Sequence, residues 1–268
     1  MRFSFFRRYY YFLLLLALPV IALAFHNHNR TLYLVVTTIQ KAISPDAIDT
    51  NAITVTASGN YTIHKQRIAA TRQKLRRLYQ QASTPLQKQR MLDSARHYLT
   101  QAITTQLIPH WYGTPWSFEG HTDTPQQGDI ACGYFVSTVL NHAGFRLNRY
   151  RMAQQNPENE IRTLHQRVNS IFFKAKTATA FADSVTTHLP AGLYIFGLPN
   201  HVGFLLHSGG KVYLIHASFL FPDRKVIIET AANSPLLYNP AKCRLGEITS
   251  NNQLIRQWLL EEVVPVSE

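Results

Sequence analysis

The sequence predicts an α+β domain, with helices first and a small antiparallel sheet after them. Three observations carry this reading. Apolar residues recur at helical spacing from Lys65 to about Leu107, an apolar run follows Cys132, and short strand-like segments separated by turn residues fill positions 193–228. A chain of 268 residues that is 46% hydrophobic and 16% charged can bury one sizeable core, and nothing in it suggests global disorder.

Residues 1–24 read as an export signal. Arg2, Arg7 and Arg8 precede the apolar run from Tyr9 to Ala24, and Ala22-Leu23-Ala24 has the pattern of a cleavage site. An uncleaved membrane anchor is the alternative, although the run is short for a span of about 20 apolar residues. No cysteine lies near the cleavage point, which excludes a bacterial lipid anchor. Either form places the remainder in the periplasm or outside the cell. The net charge of +12 favours anionic partners, an anionic cell-envelope surface among them. Nucleic acid is not expected.

Residues 25–64 read as a linker or short strands. Ser44-Pro45-Asp46 is a turn signal there, and Ser58-Gly59-Asn60 another. His26 and His28 lack further ligands and read as a solvated stub. Residues 65–107 form a helical region. Ile68, Leu75, Leu78, Tyr79 and Ala82 mark the first helix, Thr84-Pro85 starts the next, and Met91, Ala95, Tyr98, Leu99, Ala102 and Ile103 form its stripe. Lys65, Arg67, Arg72, Lys74, Arg76 and Arg77 read as a solvated face of the first helix.

The remaining domain spans residues 108–268. Pro109 ends the helical region and an irregular aromatic loop covers 111–127. A buried helix opens at Cys132, with Phe135, Val136, Val139, Leu140 and Ala143 apolar and Gly144 as its stop. Residues 151–190 are polar and mixed, with a helix around Glu158 to Val168. Strands follow at 193–196, 202–207, 212–216 and 225–228, and a helix from Asn252 to Glu262 closes the chain.

The chemistry concentrates at Cys132, His201 and His216. Cys132 precedes its apolar run, so its sulfur belongs at a helix N-terminus, where the helix dipole and free N–H groups lower a thiol pKa and can hold an oxyanion. Gly133 leaves room there for a substrate backbone. Ser208-Gly209-Gly210-Lys211 reads as a tight hairpin. If Ser208 pairs with Lys211, His216 stands opposite Gly203, and His201 lies two residues along the same face. Gly203 then leaves the gap in which the two imidazoles meet. His207 shares the face but lies nearer the turn. The plainer readings are a core cysteine and two strand-surface histidines. Three zinc ligands are a further alternative, but the close ligand pairs of structural zinc sites are missing. No metal or organic cofactor is implied. Of the two cysteines, Cys132 is expected free and Cys243 structural or incidental.

These residues resemble the NlpC-type cell-wall peptidases, a branch of the papain-like cysteine hydrolases. The resemblance rests on Gly113-Thr114-Pro115-Trp116, then Cys132, then His201-Val202-Gly203 and Ile215-His216-Ala217, within residues 108–230. Arg149, Ala153 and Gln154 fall where that family often has an arginine and a small-residue/glutamine stretch. The resemblance implies a papain-like fold with the nucleophile helix on a small antiparallel sheet. It also implies Cys132 as nucleophile, His201 as general base, His216 as the residue orienting that base, and Trp116 in the substrate cleft. The implied activity is amide hydrolysis in peptidoglycan stem peptides. Two departures bear on specificity: Ala131-Cys132-Gly133 replaces the family's Asp-Cys-Ser-Gly, and Glu119 interrupts its Gly-Gly. A non-catalytic envelope-binding module and an exported acyltransferase or lipid-amide hydrolase are the competing readings.

Overall fold

In a computed structural model of the chain, residue 57 and residues 59–166 and 170–268 are described. The segment read as an export signal, His26, His28 and most of the stretch read as a linker or strands lie outside them. The described part is an α+β fold with seven α-helices and one five-stranded antiparallel sheet.

Helix α1 (Tyr61–Gln81) begins four residues before the expected Lys65 because Asn60 caps it, its side-chain oxygen accepting from the Thr62 and Ile63 N–H groups. The turn signal read at Asn60 is therefore a helix start. Helix α2 (Pro85–Gln101) opens on a capping box between Thr84 and Gln87. It runs on through a π-helical turn (Ala102–Leu107) into a 3-10 turn (Ile108–Trp111) that contains Pro109. The C-terminal helix α7 (Asn252–Leu260) packs on both. Part of the basic stripe on α1 is used for that contact: Arg72 and Arg76 both pair with Glu261, at 2.5 and 2.6 Å. The expectation of a wholly solvated basic face is corrected accordingly.

Helix α3 (Cys132–His142) stops at Gly144, whose φ of +98° suits glycine. Helices α4 (Arg149–Ala153), α5 (Pro157–His165) and α6 (Ala178–His188) follow. The strands are β1 (Gly192–Leu198), β2 (His201–Ser208), β3 (Lys211–Ala217), β4 (Val226–Thr230) and β5 (Arg244–Glu247), in the order β4-β3-β2-β1-β5. Ser208 pairs with Lys211 and Phe204 with Ile215, the register expected from the hairpin. Gly209 and Gly210 both have positive φ, as a two-residue hairpin turn of this type needs.

The sheet separates two cores. On one face Val202, Phe204, Leu206 and Ile215 pack with Phe135, Val136 and Val139 of α3. On the other, Tyr194, Phe196, Leu205 and Leu214 pack with Phe181 and Val185 of α6, and with buried Cys243. No described helix is long and apolar enough to cross a membrane.

Candidate active site

The loop before α3 is held in place by backbone bonds. Gly113 N–H donates to Val226 and Trp116 N–H to Arg224, which ties the aromatic loop to the start of β4. Ile130 and Ala131 then donate to Pro115 and Gly120, so the chain enters α3 against that loop. Ala131 caps the helix without a side-chain hydrogen bond, which leaves first-turn N–H groups beside Cys132. Arg149 braces the entry from α4: its guanidinium donates to Thr138 Oγ1 at 2.5 Å and to the Thr122 carbonyl at 2.9 Å.

Cys132, Gly133, Trp116 and His201 line one cavity of about 640 Å³, together with Tyr134, Glu160, Val202 and Phe219. Three of the expected site residues thus meet, with Gly133 beside them. His216 stands behind His201. His201 Nε2 lies 3.1 Å from His216 Nδ1, with the rings perpendicular. His216 Nε2 lies 3.2 Å from Glu229 Oε1, which also accepts from Ser234 Oγ at 2.6 Å. Gly203 is not on the cavity wall. A Cβ there would come within 2.6 Å of the Phe196 ring and 2.7 Å of His216 Cβ, so its missing side chain makes room for the histidine pair and not for substrate. Gly133 is similar: a Cβ would meet the Ala153 carbonyl at 2.7 Å and Glu160 Oε1 at 2.9 Å. The space expected for a substrate backbone is filled by the chain itself. His207 lies by the Pro190 carbonyl, off the cavity wall.

The protonation pattern follows from this chain of contacts. Burial acts to raise the Glu229 carboxyl, but hydrogen bonds from His216 and Ser234 outweigh it, and its pKa falls below the usual value. The resulting carboxylate accepts from His216 Nε2–H. With a neutral His216 ring, Nδ1 is the acceptor for His201 Nε2–H, an arrangement that leaves the lone pair of His201 on Nδ1. That Nδ1 is buried and has no hydrogen-bond partner among the described residues. A base is thus left unsatisfied on a residue of the wall that holds Cys132.

The thiol does not show the lowered pKa expected from the helix terminus. Burial pushes Cys132 up, and the nearby Glu160 adds to this, while the N–H groups of Val202, Gly133 and Cys132 itself pull the other way. Desolvation outweighs the dipole here. His201 is held well below its ordinary value by burial and then by His216. The resting pair is therefore a thiol and a neutral imidazole, and the proton moves as the sulfur attacks. Cys243, also free, is fully buried and its thiol is pushed up to about 12.

Glu229, Ser234 and Glu160 escaped the sequence reading. Glu229 could have been found by extending the β4 pattern one residue beyond Ile228, because it shares the face of Ile227, the partner of His216. Glu160 gives no such signal; an acidic residue in a first helical turn is ordinary. In the fold it is 2% exposed, and its Oε2 is buried without a partner among the described residues. Burial raises its pKa well above 4.5. A raised carboxyl contributes stability that is complete below the unfolded value and lost as pH rises through the folded value. Relative to Glu160→Gln, the natural protein should therefore lose up to about 1.4 kcal/mol per pH unit above pH 4.5. Urea unfolding of both proteins across pH 4–8 checks this; a constant difference contradicts it.

Trp116 stacks under Arg224, whose guanidinium carbon is 4.8 Å from the ring centroid, and its Nε1 is buried without a partner among the described residues. Among the described residues no group of three or more His, Cys, Asp or Glu is arranged to hold a metal ion. No family model matches the chain, and the searches of curated proteins and of solved structures each returned no match.

Proposed function

We propose that the protein is a cysteine hydrolase of papain-like, NlpC-type architecture that cleaves amide bonds, with stem peptides of peptidoglycan as its substrate class. The observation that carries the proposal is that Cys132 and His201, whose Nδ1 has no partner among the described residues, line the same cavity. His201 takes the thiol proton as the sulfur attacks the amide carbonyl. The N–H groups at the start of α3 stabilise the oxyanion. The C–N bond then breaks, His201 returns the proton to the leaving amine, and water, activated by the same base, releases the acyl group from sulfur. His216 and Glu229 hold the imidazole in the required tautomer. The cysteine helix against an antiparallel sheet, with the base at the head of β2, supports the architecture. The proposal includes export through residues 1–24 and action in the cell envelope.

A second reading, hydrolysis or transfer of a lipid amide, is favoured by Phe118, which is 80% exposed on the cavity wall, and by Phe221, 89% exposed in the loop after Phe219. The test is incubation of the purified protein with muropeptides and, separately, with an N-acyl lipid, followed by mass spectrometry. Mass loss at the stem peptide with the natural protein and none with Cys132→Ala is expected. Unchanged muropeptides with both proteins remove the wall substrate, and cleavage of the N-acyl lipid alone selects the second reading.

A further inference from the structure

The cavity beside Cys132 differs in charge from the rest of the chain. The sequence has 27 Lys and Arg against 15 Asp and Glu, yet the cavity wall contains Glu119 and Glu160 and neither lysine nor arginine. Arg224, stacked on Trp116, lies outside the wall. Glu160 is 2% exposed, and its Oε2 has no partner among the described residues. Such a group is unfavourable in the empty protein and becomes favourable when a positive charge reaches it. The rest of the wall adds no competing positive side chain, since Trp116, Tyr134 and Phe219 line it with aromatic rings.

We propose that Glu160 is the counter-ion for an ammonium group of the substrate, so that the site prefers an amide with an amine at this position over one with a neutral or anionic group there. The position of the carboxyl limits where the amine lies. Glu160 Oε1 is 2.9 Å from where a Cβ of Gly133 would stand, and Gly133 follows the nucleophile directly. A residue spans about 3.5 Å of extended chain, so the ammonium belongs within a residue or two of the scissile carbonyl. A free α-amino terminus or the side-chain amine of a diamino acid meets this requirement. Burial raises the pKa of the Glu160 carboxyl while the cavity is empty; an ammonium placed against it favours the carboxylate, whose proton leaves to water.

The proposal rests on the hydrolase reading only in calling the ligand a substrate, so binding is measured without the nucleophile. Full-length Cys132→Ala protein is titrated calorimetrically with alanyl-alanine amide carrying a free, an acetylated or a succinylated amino terminus. The free form should bind at least about tenfold more tightly than the acetylated form, a difference of about 1.4 kcal/mol, and the succinylated form should bind least. Adding Glu160→Gln should abolish the preference, and Glu160→Asp should retain part of it. Equal affinity for the three ligands, preference for the succinylated one, binding of none, or a preference that survives Glu160→Gln overturns the proposal. An amine preference in a protein whose natural Cys132 proves unreactive would retain the ammonium site and remove the hydrolase.

Discussion

His201→Ala should lower kcat/KM for any amide the cavity accepts by about 10²- to 10⁴-fold, the usual worth of a positioned general base. The reason is the raised Cys132 thiol: with burial opposing ionisation, the sulfur depends on Nδ1 to remove its proton. Glu229→Gln should fall in the same range by a different route. A carboxamide can donate to His216 Nε2, which would turn both imidazole tautomers and place a proton on His201 Nδ1. That loss should shrink at alkaline pH, where the thiol ionises without help, whereas a misfolded variant would not recover. Steady-state kinetics across pH 5–10 on both variants, with thermal unfolding as a control, separates these outcomes. Because His201 is held well below 6.5, the natural protein should keep its activity on the acid side of 6.5. An acid limb at or above that value contradicts the neutral-imidazole assignment.

Gly203→Ala should destabilise the protein by about 1–3 kcal/mol or more, the cost of overpacking a tight site. The new methyl would lie 2.6 Å from the Phe196 ring and 2.7 Å from His216 Cβ, and both residues are buried in the sheet. It should also reduce turnover at temperatures where the variant is still folded, since displacing His216 breaks its 3.1 Å contact with His201. Gly210→Ala is the informative comparison. Nothing lies within 4 Å of a Cβ there, so only the backbone preference at φ +68° is lost. Chemical denaturation of the two variants should therefore differ clearly, and equal destabilisation would show that the His216 gap is not tight.

The histidine pair was legible because a strand hairpin has few registers. Once Gly209-Gly210 sets the turn, side-chain alternation places His201, Gly203 and His216 together. The α+β class was legible from periodicity for the same reason: α2, α3 and the strands β1 to β3 carry strong local patterns. Three elements lacked such a pattern. Helix α4 has five residues and β5 only four, with Gly246 inside it, so each is held by its neighbours and not by its own sequence. Helix α6 mixes Thr, Ala and Val, and its Thr177 cap and buried Phe181 are visible only once the second core is known. At the site, the dipole argument placed Cys132 correctly at a helix start but misjudged its acidity, since desolvation by burial is a tertiary effect. Glu160 was hidden for the same reason.

Alkylation of the two thiols by iodoacetamide, followed residue by residue in the folded full-length protein, tests the meeting of sulfur and imidazole most directly. Cys132 should be modified while Cys243 stays unmodified until the protein unfolds, and His201→Ala should slow the Cys132 reaction without altering Cys243. Equal slow labelling of both cysteines, or a Cys132 rate indifferent to His201, would contradict a nucleophile activated by that base.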